Sequence, residues 1–216
     1  NLDSTLEEKN TLIQELYHRT KNNMQVITSF LSLQAAKSPQ NKSVQKLVRD
    51  SNRRINAMSL VHEKLYQAKD LSRIQMKEYL SELSRHTITR EQQGNIVPRL
   101  KFEIDDSYFL IDTALPCGLI VTELVSNSMK HAFSSQQTGE ITVGLDSKDP
   151  EHTRLYVTDD GSGVQSDSDI FQHGGMGLQI VYSIVEQQLR GSVRIETTEG
   201  FQCMIEFPRS LYTERV

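Results

Sequence analysis

The first half of the chain places its apolar residues at the spacing of an α-helix. From Leu2 to Ala36 there is neither Gly nor Pro, and apolar residues recur at helical intervals. After a turn signal in "KSPQNKS", a second run places apolar residues and one histidine on one seam: Val44, Val48, Ile55, Met58, His62 and Leu65. The pattern predicts two long amphipathic helices joined by a short turn.

A single helical hairpin cannot cover the apolar faces of both its helices. Pairing of two hairpins into a four-helix bundle would cover them, so we expect a homodimer. A third helix is predicted from about Met76 to Gln92, ended by Gly94 and Pro98. We therefore expect a hairpin domain over residues 1–72 and a second domain over residues 73–216.

The second half of the chain mixes strands and helices. Its alternating or apolar runs predict strands at "RLKFEID", "YFLID", "EITVGLD", "TRLYVTD", "GSVRIETT" and "FQCMIEF". One helix is expected through "TALPCGLIVTELVSNSMKHAF", with Asp112 or Thr113 as cap and Pro116 in the first turn. Another is expected through "LQIVYSIVEQQL". The fold class predicted is α+β, a helical hairpin followed by an α/β sandwich with one mixed sheet covered by helices.

Composition narrows the class of protein. The 216 residues are 37% hydrophobic and 24% charged with a net charge of -4, which is typical of a globular protein and excludes a strongly basic nucleic-acid surface. Cys117 and Cys203 lie far apart within apolar runs, which favours buried thiols over a disulfide framework. Without a long apolar run or a signal peptide, we expect a cytoplasmic location. Because the chain begins at Asn1 with no cap before its first helix, we also expect an upstream segment.

A helical polar face in the second half indicates nucleotide chemistry. Glu123, Asn127, Lys130 and His131 stand at i, i+4, i+7 and i+8, so they share one face of the predicted helix. Carboxylate and amide oxygens suit Mg²⁺, and lysine suits phosphate oxygens. A solvated polar face is the alternative, but the apolar residues in the preceding turns favour a helix that is mostly buried.

Two glycine-containing stretches add to this face. In "VTDDGSGV" an apolar strand ends at Asp159, followed by Gly161 and Gly163; the carboxylate can accept a hydrogen bond from an adenine amino group. An ordinary turn is the alternative, since Asp-Gly is a common turn pair. In "HGGMGLQIV" glycines run directly into a helix, whose first N–H groups can bind an anion. The order and spacing of all three groups together are stronger evidence for a nucleotide site than any one of them alone.

These segments resemble a known family. "TELVSNSMKHAF", "DDGSG" and "GGMGLQIV" resemble the N, G1 and G2 boxes of the GHKL ATPase fold, which histidine kinases share with gyrase-type topoisomerases, MutL proteins and Hsp90. "ELYHRTKNNMQVITSFLSLQA" with "RINAMSLVHEKLY" resembles the phosphotransfer hairpin of sensor histidine kinases, of the H-R-x-K-N subgroup related to the HWE kinases. Walker A and protein-kinase motifs cannot be found.

The resemblance implies a role for each residue at a matching position. His18 matches the phosphoacceptor, Asn127 the Mg²⁺ ligand, and Glu123 the acid that acts on the metal's water shell. The remaining matches are nucleotide contacts: Lys130 and His131 near the phosphates, Asp159 at adenine with Gly161 and Gly163 beside it, and Gly175, Met176, Gly177 and Leu178 along the triphosphate. Ser162 to Met176 correspond to a mobile lid. The family also implies ATP and Mg²⁺, a homodimer, an upstream sensor domain and a response regulator receiver domain as partner.

The phosphoacceptor's neighbours differ from the larger histidine kinase group, where an acid follows the histidine; here Arg19 stands there. Glu15, one turn before His18, is the candidate to orient the imidazole and accept its proton. Asn22, one turn after, is the candidate to position water for dephosphorylating a partner. His62 lies on the apolar seam, which favours a hydrogen-bonded core histidine over a second phosphoacceptor.

The sequence predicts a sensor histidine kinase core that phosphorylates its own His18 from ATP and passes the group to a response regulator. One alternative is a GHKL protein that uses ATP as a switch or phosphorylates serine in an anti-sigma role. Another is a catalytically silent dimer that docks a regulator.

Overall fold

The computed structural model describes residues 2–67, 73–92, 97–133, 139–161, 176–197 and 200–209. The elements in chain order are α1 (Leu2–Ala36), α2 (Lys42–Gln67), β1 (Arg73–Gln75), α3 (Met76–Glu91), β2 (Arg99–Ile104), β3 (Tyr108–Leu110), α4 (Ile111–His131), β4 (Glu140–Asp146), β5 (His152–Asp159), α5 (Met176–Ile184), a π-helical turn (Val185–Leu189), β6 (Ser192–Glu196) and β7 (Phe201–Pro208).

Helices α1 and α2 form the predicted hairpin. The turn is held from both sides: Asn41 caps α2 by accepting from Val44 N at 3.1 Å, and Gln45 Nε2 donates to the Ala35 carbonyl at 2.7 Å. Farther along, Lys21 Nζ lies 2.7 Å from Glu63 Oε2. The Gln45–Ala35 and Lys21–Glu63 contacts fix the register of the two helices, because each joins a residue of α1 to a residue of α2.

The described strands form a five-stranded sheet in the order β2-β4-β5-β7-β6, and β1 pairs with β3 in a separate two-stranded ribbon. Only the β2–β4 pair of the five-stranded sheet is parallel, so the sheet is mixed, as predicted. Along β5 burial alternates residue by residue, which is the pattern of a strand with one face on the core. Strand β5 ends at Asp159, which pairs with Phe201 of β7.

Helix α4 is the most enclosed helix of the second half. It packs against α2, α3 and α5, and its buried residues run from Thr113 to Ser128. The close approach of α3 depends on Gly118, where an added Cβ would lie 2.0 Å from Tyr79 Oη. A helix with neighbours on several sides can hold a polar residue away from water, and Glu123 is such a residue.

Four details differ from the predicted elements. Strand β1 is absent from the prediction, and β3 pairs with it in a ribbon outside the mixed sheet. Helix α4 begins at Ile111 with Leu110 as N-cap and no side-chain capping bond, so Asp112 and Thr113 are not caps and Pro116 lies in the second turn. The "YFLID" strand ends at Leu110, because its pairing with β1 holds the backbone only to that residue. The last predicted helix ends in the π-helical turn, closed by Arg190 at φ 51°.

Both cysteines are free and buried, as expected. Within the described ranges, no helix is long and apolar enough to cross a membrane. The boundary at residue 72 stays a prediction, and it agrees with the pairing of β1 with β3 and the packing of α3 on α4.

Candidate functional site

The polar face of α4 meets the start of α5. Glu123 is 1% exposed and Asn127 is half-buried. A Cβ added to Gly177 would lie 2.6 Å from Glu123 Oε2 and 3.7 Å from Asn127 Oδ1. Only glycine at position 177 lets the backbone come this close to both side-chain oxygens.

Two arginines of α2 already hold the Glu123 carboxylate. Arg53 Nη2 lies 3.0 Å from Oε2, and Arg54 Nε lies 2.8 Å from Oε1. Arg53 also pairs with Asp50 at 3.0 Å and with Glu91 at 2.8 Å. Burial alone would lower the pKa of the Arg53 guanidinium, but the surrounding carboxylates, Glu123 first, outweigh burial and raise it. The hairpin and the second half of the chain thus meet in one buried ionic cluster.

Lys130 stands at the edge of this cluster. Its Nζ lies 3.5 Å from Asp50 Oδ1 and 3.6 Å from Glu91 Oε2, distances at which the attraction is weak. His131, the next residue, is exposed at the end of α4. Burial, Lys130 and Lys46 lower the pKa of His131 below its usual 6.5. Both side chains remain within reach of solvent and of an incoming anion.

Asp159 lies in a second buried pocket, where three hydrogen bonds fix it. Ser128 Oγ donates to Oδ2 at 2.6 Å, and the backbone N–H groups of Gly161 and Phe201 donate to Oδ1 at 3.2 and 3.4 Å. Burial raises the pKa of Asp159 above its usual 3.8, and these hydrogen bonds oppose the rise. The carboxylate is held in one orientation with acceptor capacity left over, since a carboxylate has about four acceptor positions.

Two glycines shape this pocket. A Cβ on Gly161 would meet the Ala132 carbonyl at 2.4 Å, and Gly200 has φ +85° with a Cβ position 2.0 Å from the Asp159 carbonyl. Side chains at these positions would displace backbone, so the strand end and the α4 end can meet only with glycine there.

His18 is exposed on α1, and Asn22 Nδ2 lies 3.3 Å from its Nδ1. Glu15 Oε1 accepts from Arg19 Nε at 2.7 Å, and both of these side chains are largely exposed. Because the Tyr17 ring lies against the His62 ring, His18 is at the level of His62 on α2. Arg53 is nine residues earlier in α2, which is about 14 Å along a helix axis. The structure therefore places His18 and the polar face of α4 at different levels of the hairpin.

His62 is half-buried against the Tyr17 ring, with ring centroids 5.6 Å apart. Its Nδ1 is buried and has no hydrogen-bond partner among the described residues, so the expected hydrogen bond is not found at that atom. Burial lowers the pKa of His62 below its usual 6.5.

The remaining predicted contacts divide into two groups. Gly163, Gly175 and all of the predicted lid except Met176 lie outside the described residues. Met176 is 56% exposed at the start of α5, whereas the Leu178 side chain is buried in the core, so Leu178 could contact a ligand only through its backbone.

Sequence reasoning missed several residues of the two pockets: Asp50, Arg53, Arg54, Glu91 and Ser128. Ser128 could have been found, because it directly follows Asn127 in the same motif. The arginines gave no local signal, since each meets a carboxylate about seventy positions away in the chain.

The residues present fit ATP and Mg²⁺. Asn127 offers an oxygen ligand beside Gly177, and Asp159 offers an oriented acceptor in a pocket closed by glycines. Glu123 has the right chemistry for a metal-bound water, but each of its oxygens already accepts from an arginine.

Comparisons with known proteins agree with this geometry. A family model described as "Histidine kinase" matches residues 15–90, and one described as "Histidine kinase-, DNA gyrase B-, and HSP90-like ATPase" matches residues 113–211. The chain is 29% identical over 197 residues to the sensor histidine kinase PdtaS of Mycobacterium tuberculosis, covering 88% of this chain and 38% of that protein. It is 28% identical over 182 residues to blue-light-activated histidine kinase 2 of Erythrobacter litoralis, covering 81% of this chain and 50% of that protein.

Among solved structures, the histidine kinase domain of the Erythrobacter litoralis EL346 kinase has a TM-score of 0.66 at 22% identity, covering 94% of this chain and 95% of that one. The predicted fold class and family are confirmed by these matches. The chain spans half or less of the length of the curated relatives named above.

Proposed function

Because this chain belongs to the histidine kinases, we propose that it transfers the γ-phosphoryl group of ATP to His18 and then donates it to an aspartate of a response regulator receiver domain. The observation that carries the proposal is the combination of an exposed histidine on the hairpin with a glycine-shaped polar pocket in the same chain. A cytoplasmic location is part of the same proposal.

Nucleotide recognition is assigned to two sides of α4. Asp159, oriented by Ser128, accepts a hydrogen bond from the adenine amino group. Asn127 would supply an oxygen ligand for Mg²⁺, and Glu123 would act on the metal's water shell. Lys130 and His131 lie where they can meet the phosphates, which are the most negative part of the ligand. When bound, Mg²⁺ offsets the charge of the β- and γ-phosphates.

The transfer step forms an N–P bond at His18 and breaks the bond between the γ-phosphorus and the bridging oxygen, which leaves with ADP. Attack needs a free lone pair on one ring nitrogen. Asn22 Nδ2 lies 3.3 Å from His18 Nδ1, so the end of the amide is close enough for a hydrogen bond whether it presents its nitrogen or its oxygen to the ring. If the amide oxygen accepts from Nδ1–H, the lone pair of Nε2 stays free. We assign Asn22 the role of holding the imidazole in the Nδ1–H tautomer.

A homodimer is supported by the apolar residues that α1 leaves exposed. Leu16 is 61%, Val26 68% and Phe30 58% exposed, with Leu12, Ile27 and Leu33 on the same side of the helix. At 100° per residue all six lie in an arc of about 120°, and His18 lies outside it. A second copy seated on this arc would bury the apolar face and leave His18 accessible.

The test is incorporation of label from γ-labelled ATP with Mg²⁺ into the wild-type chain and three variants: His18→Gln, Asn127→Ala and the control His86→Gln, which changes an exposed histidine on α3. We expect acid-labile, base-stable label in the wild type and the control, and none in the other two. Transfer is then followed to receiver domains with and without their phosphoacceptor aspartate.

Other outcomes point elsewhere. Label that survives His18→Gln would place the acceptor at another residue. ATP binding without any label in the wild type would favour the switch or docking role.

A further inference from the structure

The Glu123 carboxylate is held by the hairpin rather than by its own helix. Arg53 donates to one oxygen and Arg54 to the other, and the carboxylate is 1% exposed. Both arginines belong to α2, while Glu123 belongs to α4. The residue expected to act on the metal's water shell is therefore also an ionic contact between α2 and the second half of the chain, as are Arg53–Glu91 and Lys64–Glu78.

These two tasks compete for the same oxygens. A carboxylate that neutralises two guanidinium groups in a buried site is a weaker acceptor for a metal-bound water, because its charge is already offset. Lys130, the expected phosphate contact, is drawn toward the same cluster through Asp50 and Glu91. A metal–nucleotide complex therefore competes with the hairpin for Glu123 and Lys130.

The contacts of Arg53 and Arg54 with Glu123 have a geometry that a competing ligand can replace. Each arginine gives Glu123 one N–H rather than the two parallel bonds of a full fork, and Arg53 Nε and Arg54 Nη2 are buried without a hydrogen-bond partner in the described part of the chain. Desolvation offsets much of the attraction within a buried ion pair. A ligand that gives the Glu123 carboxylate a partner of its own therefore competes with the arginines for the net free energy of the pair, which is smaller than the Coulomb attraction alone.

The docked arrangement also keeps the pocket away from the phosphoacceptor. Glu123 meets α2 at Arg53 and Arg54, whereas Tyr17 and Lys21, on either side of His18, meet α2 at His62 and Glu63. The two levels are separated by about 14 Å of helix. The ATP-binding part has to leave this position on α2 before its nucleotide can reach His18.

We propose that Arg53 and Arg54 form a latch on Glu123 that holds the ATP-binding part against α2 in a resting state, and that metal–nucleotide binding opens the latch. This rests on the proposed function, since it takes Glu123 as part of the metal–nucleotide site. In the latched state the hairpin lowers affinity for the metal–nucleotide complex; by reciprocity the complex weakens docking by the same factor.

Arg54 is the residue to change first. Arg53 contacts three carboxylates, so its removal would leave several buried charges unpaired and endanger folding. Arg54 pairs with Glu123 alone among its described ion pairs and is more exposed, at 18% against 7% for Arg53. Arg49, exposed on the same helix, provides the matched control.

The experiment is calorimetric titration of ADP, with Mg²⁺ and with chelator, into the wild type, Arg54→Gln, Arg49→Gln and Asn127→Ala. We expect Arg54→Gln to bind Mg·ADP about tenfold more tightly than the wild type, within the usual range of coupling between sites. Its affinity for metal-free ADP should be unchanged, because Glu123 acts through the metal's water. Arg49→Gln should match the wild type in both conditions.

Unchanged affinity for Mg·ADP in Arg54→Gln would overturn the latch, and weaker binding in both conditions would make Arg54 a phosphate contact instead. Failure of the proposed function looks different: the wild type would not bind Mg·ADP, or Asn127→Ala would bind it equally well.

Hydrogen exchange of the wild type gives a second readout. Mg·ADP should speed exchange in the part of α2 around Arg53 and Ala57, which is buried in the docked state. Equal exchange with and without Mg·ADP would also overturn the proposal.

Discussion

Ser128 Oγ donates a 2.6 Å hydrogen bond to Asp159 Oδ2, and so ties the last turns of α4 to the end of β5. Ser128 directly follows Asn127, the expected metal ligand, so one short stretch of helix carries residues at both ends of the proposed nucleotide site. In the proposed function, adenine recognition and phosphate recognition are therefore linked through one helix.

Asp159→Asn should weaken ATP binding and reduce the preference for adenine over guanine. The amide offers one acceptor oxygen where the carboxylate offers two, and loss of one buried hydrogen bond to a charged group costs about 1.5–3 kcal/mol, or roughly a 10- to 150-fold rise in Kd. The measurement is nucleotide titration with ATP and GTP, with Asp106→Asn, on an exposed loop, as control. Equal affinities in Asp159→Asn and wild type would remove Asp159 from adenine recognition.

The affinity for ATP should fall as the pH is lowered, through protonation of Asp159. Because the pKa of Asp159 is raised above 3.8, the acceptor is lost at a higher pH than for an ordinary aspartate. Ser128 stabilises the charged form, so Ser128→Ala should raise the pKa further and move the loss of affinity to higher pH. Kd measured against pH in wild type, Ser128→Ala and Asp159→Asn tests this, since the phosphates titrate alike in all three. The idea fails if Asp159→Asn keeps the wild-type pH profile.

Asn22→Ala should slow labelling of His18 by about 2- to 10-fold, the usual net value of one hydrogen bond. The Asn22 amide contacts His18 Nδ1, while the Glu15 carboxylate forms an exposed ion pair with Arg19. Glu15→Gln should therefore stay close to the wild-type rate in the same single-turnover assay. A larger effect from Glu15→Gln than from Asn22→Ala would return the orienting role to Glu15. Dephosphorylation of a partner, measured in parallel, tests whether Asn22 also positions water.

Phe30→Glu should weaken the homodimer, because it puts a charge into the apolar arc of α1 where a second copy would bury it. Gln25→Glu, an exposed change on another side of the same helix, should leave the mass unchanged. Light scattering across a range of concentrations gives the masses. A wild-type chain that stays monomeric throughout would refute the dimer itself.

His62 should make the protein less stable in mild acid. Its pKa is lower in the folded chain than the usual 6.5, so the unfolded chain takes up a proton first as the pH falls. The contribution of the neutral His62 ring to the free energy of unfolding is complete above pH 6.5. Below pH 6.5 this contribution falls by at most about 1.4 kcal/mol per pH unit. Denaturant unfolding of wild type and His62→Gln at several pH values should show a shallower decline in the variant. Parallel declines would assign the effect to other groups, such as His131.

The sequence determined the elements and the chemistry that depend on neighbours along the chain. Helical spacing predicted α1, α2 and α3, and the residue pattern predicted the strands other than β1. The three polar and glycine-rich stretches indicated the family and predicted a nucleotide site. These features can be read locally because the period of a helix or strand and the reach of a motif extend over only a few residues.

Tertiary structure decided what depends on residues far apart. Pairing of β1 with β3 set the start of α4 at Ile111, ahead of the expected cap. The docking of α2 on α4 gave Glu123 two arginine partners, and the register of α1 against α2 set His18 about 14 Å from them along the hairpin. Ion pairs between residues about seventy positions apart carry no periodic signal, because electrostatic attraction depends on distance in space and burial, which only the packed chain defines.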